Sequence, residues 1–104
     1  MRHEIAQAVR DWMSSALEDM ETAVLTAEAV PPKSRSAVYH AQQAAEKALK
    51  AYLTRHDCPF DLTHRLPLLL ELCIGIDEGF AAWRETAELL TPYATRFRYP
   101  GPPG

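Results

Sequence analysis

The chain has 104 residues, 47% of them hydrophobic, and a formal net charge of −3 from 11 basic and 14 acidic side chains. That length supports one hydrophobic core and hardly two, and the acidic balance argues against indiscriminate binding to nucleic acid. The longest uncharged apolar stretch, Leu66 to Leu70 with Pro67 inside it, is far too short to cross a bilayer, so no membrane association is expected.

The first segment, MRHEIAQAVRDW, lacks the continuous apolar core of a secretory signal, and the cytoplasm is the expected compartment. From about Glu4 to Ala29, the residues Ile5, Val9, Trp12, Ala16, Met20, Ala23 and Ala27 recur at steps of three and four. This spacing predicts a long first helix with one apolar face. Pro31 and Pro32 stop it. Ser34 as N-cap opens a second helix, which the turn signal Asp57-Cys58-Pro59 ends near His56. In this helix Val38, Ala45, Leu49 and Tyr52 share an apolar stripe, while Ala37, Ala41, Ala44, Ala48 and Ala51 form a small-residue seam. His40, Gln43, Lys47 and Lys50 form a polar row. Two packing surfaces and one chemical surface put this helix at the centre of a bundle.

A loop centred on Phe60, Asp61 and Leu62 leads to Thr63, expected to cap a short third helix with Pro67 in its first turn. Leu66, Leu69, Leu70 and Cys73 supply its buried side. Gly75 and Gly79 bracket a break around Asp77. Phe80, Trp83, Ala87, Leu90, Ala94 and Phe97 then share one face of a fourth helix, which Pro92 kinks or restarts. Residues 99–104, YPGPPG, cannot be helical and are expected as an extended tail after a single domain over residues 1–98. No strand-like alternation occurs. The predicted fold is all-α, an up-and-down bundle of about four helices: two long and antiparallel, one short and one returning.

Charge is segregated along this layout. Residues 1–30 carry two basic and six acidic groups, and residues 66–92 carry one and five. Residues 33–65 carry six basic and three acidic groups, while residues 93–104 carry only Arg96 and Arg98. Such a pattern can set a basic patch on an acidic body, where it attracts a phosphate or an acidic partner; solvated helix faces are the alternative.

Three blocks of sequence point further. YHAQQAAEKALK from Tyr39 to Lys50, THRL from Thr63 to Leu66, and RFRYP from Arg96 to Pro100 together resemble the HEPN domain (higher eukaryotes and prokaryotes nucleotide-binding). The resemblance covers nearly the whole chain and implies the same all-α bundle. It also implies pairing into a homodimer and, for compact members, partnership with a minimal nucleotidyltransferase in systems resembling toxin–antitoxin pairs. Many members are metal-independent endoribonucleases, with an Arg followed about four to six residues later by a His near the start of the last long helix. Those residue types suit RNA cleavage: His moves the proton of the attacking ribose hydroxyl, and a guanidinium stabilises charge on phosphorus.

Here the last His in the sequence is His64, so the motif is absent from its expected place. A copy of the spacing occurs as Arg35 and His40 in the second helix, which is the wrong element. Their side chains diverge by about 140° within one chain, and only a symmetric dimer could bring them together. Metal binding has no support, because His3, His40, His56 and His64 are scattered, and Cys58 and Cys73 are expected as reduced thiols. No Gly-rich phosphate loop is present, and no cofactor is expected.

The ligand site expected from these residues combines His40, Gln43 and Lys47, one ridge of the second helix, with Arg96, Arg98 and Tyr99 at the end of the last. The two guanidiniums suit phosphate, and the phenol ring can stack on a base. Structural salt bridging is the rival reading, with Glu46 neutralising Lys50 at four-residue spacing. The sequence therefore points to a non-catalytic or weakly catalytic module, nucleotide- or RNA-related. Its alternatives are an endoribonuclease toxin and a purely structural helical dimer.

Overall fold

The computed structural model describes residues 2–60 and 64–96, with Thr95 and Arg96 as backbone only. Its helices are α1 (His3–Glu28), α2 (Ser34–Arg55), α3 (Leu66–Ile74), α4 (Arg84–Leu90) and α5 (Tyr93–Arg96), with a 3-10 segment over Glu78–Trp83. The all-α bundle predicted from periodicity is the fold. Asp61, Leu62 and Thr63 of the preceding loop, Phe97 and the predicted tail lie outside the described residues.

The two long helices form an antiparallel pair, shown by contacts that run in opposite directions along them. Asp19 meets Lys47, and Trp12, nearer the start of α1, meets Lys50, nearer the end of α2. Ala16 and Ala23 are buried on α1, as are Ala44 and Ala51 on α2, and side chains this small allow close helix approach. The apolar stripe of α2 turns the other way. Leu49 and Tyr52 pack on a core of Leu53, Leu69 and Cys73, and Ala45 and Leu49 pack on Leu66, Leu70 and Ala87.

Two expectations for α1 are corrected. Met20 is 46% exposed and Ala27 is exposed as well. Trp12, Ala16, Asp19 and Ala23 instead line the inner side, because at 3.6 residues per turn Met20 and Ala27 rotate away from it. Ser34 is also not the cap of α2. Lys33 precedes the helix, its carbonyl accepts from the Ala37 N–H at 3.0 Å, and Ser34 is already helical.

The end of α2 does follow the turn signal. Asp57 adopts φ 52°, the Cys58 N–H donates to the Leu53 carbonyl at 2.9 Å, and the Asp57 N–H donates to Thr54 at 3.1 Å. This is a Schellman closure with a non-glycine residue in the left-handed position.

Leu66, Leu69, Leu70 and Cys73 of α3 are all buried, with Pro67 in the first turn and Arg65 as the N-terminal flank. The predicted fourth helix is divided into three pieces. Asp77 caps the 3-10 segment by accepting the Gly79 N–H at 2.8 Å. Trp83 is 60% exposed, and it borders one apolar cavity with Phe80, Ala87 and Leu90, the face predicted for it. In a 3-10 helix residues three apart eclipse, which keeps Trp83 in line with Phe80. Arg84 then clamps α4 to α3 with two hydrogen bonds to Glu71, at 2.8 and 3.0 Å. Pro92 separates α4 from α5, as its missing N–H requires.

Candidate functional site

A cleft of about 540 Å³ opens along the polar row of α2. His40, Gln43, Lys47 and Lys50 line it from α2, joined by Tyr39 and Glu46 of the same helix. Trp12 and Asp19 enter from α1, His64 from the segment before α3, and Ala94 from α5. The helical spacing of 40, 43, 47 and 50 keeps these side chains on one ridge, and the antiparallel α1 supplies the opposite wall.

Two carboxylates organise the cleft. Asp19 accepts from Lys47 Nζ at 2.6 Å through Oδ2 and from His40 Nδ1 at 3.0 Å through Oδ1. Burial opposes its ionisation, but the hydrogen bonds from Lys47 and then His40 outweigh that effect. The carboxyl is therefore held below its ordinary value. With Asp19 ionised, the proton of the His40 ring sits on Nδ1.

Glu46 is the second centre. Its Oε2 accepts from Lys50 Nζ at 3.0 Å and lies 3.0 Å from His64 Nδ1. Lys50 is 3% exposed, and its ammonium also lies 5.2 Å from the Trp12 ring centroid and 5.7 Å from that of Phe60. A buried ammonium needs such company, since desolvation is costly without a paired charge. The 3.1 Å separation of His64 Nδ1 from Lys50 Nζ sets up a choice. A protonated Nδ1 donates to Glu46, whereas a bare Nδ1 accepts from Lys50; one nitrogen cannot do both.

The arrangement brings together His40, Gln43 and Lys47, as the sequence suggested. Gln43 Nε2 donates to the Tyr39 hydroxyl at 2.9 Å. α5 reaches this cleft through Ala94, but the Arg96 side chain, Arg98 and Tyr99 lie outside the described residues. Arg35 is exposed at the first turn of α2 and does not line the cleft that holds His40. Among the described residues no three His, Cys, Asp or Glu side chains gather where they could hold a metal ion.

A comparison with protein-family models matches the HEPN domain over residues 9–103. The chain belongs to the HEPN domain family. No curated protein and no solved structure matches it significantly. Family membership makes this HEPN chain part of a nucleotide- or RNA-related class, and no helix among its described residues is long and apolar enough to cross a membrane.

Sequence reasoning missed Asp19, His64 and Trp12 as parts of this HEPN cleft. A signal for Asp19 was present: Trp12, Ala16, Asp19 and Ala23 share helical spacing, so a carboxylate stands among positions that face the protein interior. His64 carried no such signal, because it comes from a connecting segment with no periodicity. Glu46 was read as a partner of Lys50, and that ion pair is present. The site thus contains both proposed ligand contacts and structural pairing.

Proposed function

We propose that the polar cleft binds a nucleotide or a short RNA segment, with His40, Gln43 and Lys47 as contacts and Arg96, Arg98 and Tyr99 completing them. The observation that carries this reading is the ring of donors around the cleft: two ammoniums and two imidazoles beside the aromatic rings of Trp12 and Tyr39. The ammoniums of Lys47 and Lys50 are matched by the carboxylates of Asp19 and Glu46. A bare phosphate therefore has to take a carboxylate's place, while a nucleoside can use donors and acceptors together. This favours a ligand with base and ribose over inorganic phosphate.

In this reading the chain is a non-catalytic or weakly catalytic homodimeric module that works beside a separate minimal nucleotidyltransferase, in a toxin–antitoxin-like system. Family membership supports the nucleotide-related class, and the mixed-charge cleft supports binding over bulk electrostatic attraction. Thermal unfolding with added mononucleotides and short oligoribonucleotides tests the cleft. A ligand should raise the midpoint in the wild type and not in Lys47→Ala. No stabilisation by any of these ligands removes the reading. Recovery of a nucleotidyltransferase at fixed stoichiometry from the native host tests the partnership.

The bond from His40 to Asp19 favours a second reading, metal-independent RNA cleavage with His40 as general base. That reading requires cleavage without added metal, lost in His40→Ala, and in Arg35→Ala if Arg35 of a second copy supplies the guanidinium. Intact RNA under those conditions excludes it.

A further inference from the structure

Four of the five large apolar side chains exposed on α1 fall in one line, Leu25 lying to one side of it. Met13, Leu17, Met20 and Val24 are 40%, 59%, 46% and 47% exposed. With the exposed Ala27 they recur at steps of four, three, four and three. This is the period of a seam that packs against another helix. α1 already gives a different side, through Ala16 and Ala23, to its own chain. Val24 and Ala27 also border a shallow apolar groove with Ala37, Val38 and Ala41 of α2. The seam is therefore continuous with further apolar surface.

We propose that this seam docks α1 of a second copy of the chain, antiparallel to the first. The inference rests on the homodimer reading above and adds its surface and register. Setting Leu17 against Met20 of the second copy also sets Met13 against Val24 and Arg10 against Ala27. Each pair then occurs twice about a two-fold axis, which makes the contact self-complementary and closed. Along α1 the paired stretch from Arg10 to Glu28 is about 27 Å long.

The charges beside the seam select the direction. In the antiparallel register Arg10 lies next to Glu28 of the second copy, and Glu21 lies opposite Ser14. No like charges meet across the seam. A parallel pairing stacks Arg10 on Arg10 and leaves Glu28 without a cation, an arrangement that like-charge repulsion opposes. Arg10 and Glu28 are both exposed, and among the described residues the Arg10 guanidinium is held only by Gln7 of its own helix, at 3.0 Å.

Sedimentation equilibrium on the full chain tests the proposal. The wild type should run at twice the 11.7 kDa chain mass. Leu17→Glu should run at the single-chain mass with unchanged helical circular dichroism, because that side chain is exposed in the monomer. Arg10→Glu and Glu28→Arg should each raise the dimer dissociation constant by about tenfold, since the pair occurs twice, and the double variant should restore it. A monomeric wild type overturns the homodimer reading as a whole. A dimer indifferent to Leu17→Glu leaves that reading in place and overturns this surface. Failure of the double charge reversal to restore affinity overturns the antiparallel register. None of these readouts involves a nucleotide, so they stand apart from the test of the cleft.

Discussion

Lys47 Nζ and Asp19 Oδ2 meet at 2.6 Å across the two long helices, and His40 takes the other oxygen of the same carboxylate. One side chain of α1 thereby fixes two positions on the polar ridge of α2, two helical turns apart. Its job as a structural tie and its place in the polar cleft are the same geometry.

The tie makes a prediction about acid. Asp19 is depressed in the native state: burial pushes it up, but the bonds from Lys47 and His40 bring it below the ordinary value. A group depressed on folding contributes stability that is complete above its unfolded value and is lost as pH falls through its native value. Urea unfolding of the wild type between about pH 2 and 5 should show this loss, and Asp19→Asn should show a smaller one. At neutral pH the variant should be less stable, because the amide meets Lys47 without a charge. The same substitution releases Lys47 toward solvent and should strengthen binding of inorganic phosphate.

Glu46 and Lys50 form a pair buried on both sides, with side chains 7% and 4% exposed. Glu46→Ala leaves a buried ammonium with no carboxylate, a change that should cost about 3–5 kcal/mol in chemical denaturation. Replacing both residues by Met should recover most of that loss, since an apolar pair of similar volume needs no compensation. If the double variant is as unstable as the single one, the pair does more than neutralise itself.

The fold was legible because each long helix repeats its pattern over several turns. The stripe, seam and polar row of α2 could be read directly, and each occupies a different surface. Legibility failed where the winding changes. The stretch before Pro92 was read as one α-helix, and a 3-10 segment takes its first part, Glu78–Trp83. Met20 was placed on the apolar face of the first helix and Asp19 was not, because steps of three and four suit two adjacent stripes equally well. The site was half legible. His40, Gln43 and Lys47 share one helix, whereas Asp19 and His64 join them only through tertiary folding.

Gln42 is wholly enclosed, and neither Nε2 nor Oε1 has a hydrogen-bond partner among the described residues. An enclosed polar group without a partner costs about 1–3 kcal/mol relative to an apolar replacement. Gln42→Met keeps the length of the side chain and removes both groups, so it should stabilise the chain by about that amount in urea unfolding. A loss of stability instead would mean that the amide bonds to water or ligand in solution.

Cys73 should report the opening of the core. Its thiol is inaccessible, packed with Leu53 and Leu69, and its Sγ lies 3.9 Å from the Leu49 carbonyl. Burial, aided by the nearby Cys58, pushes its pKa up to about 11. Since the thiolate is the reacting form, the native chain should offer one fast thiol, Cys58, to an aromatic disulfide reagent. The second should react only as the α2–α3 core opens, at a rate set by local unfolding. Phe80→Ala removes a side chain packed against this cluster, and should accelerate the slow phase while leaving the Cys58 phase unchanged. Two equally fast thiols in the wild type would show that α3 is not held against α2 in solution.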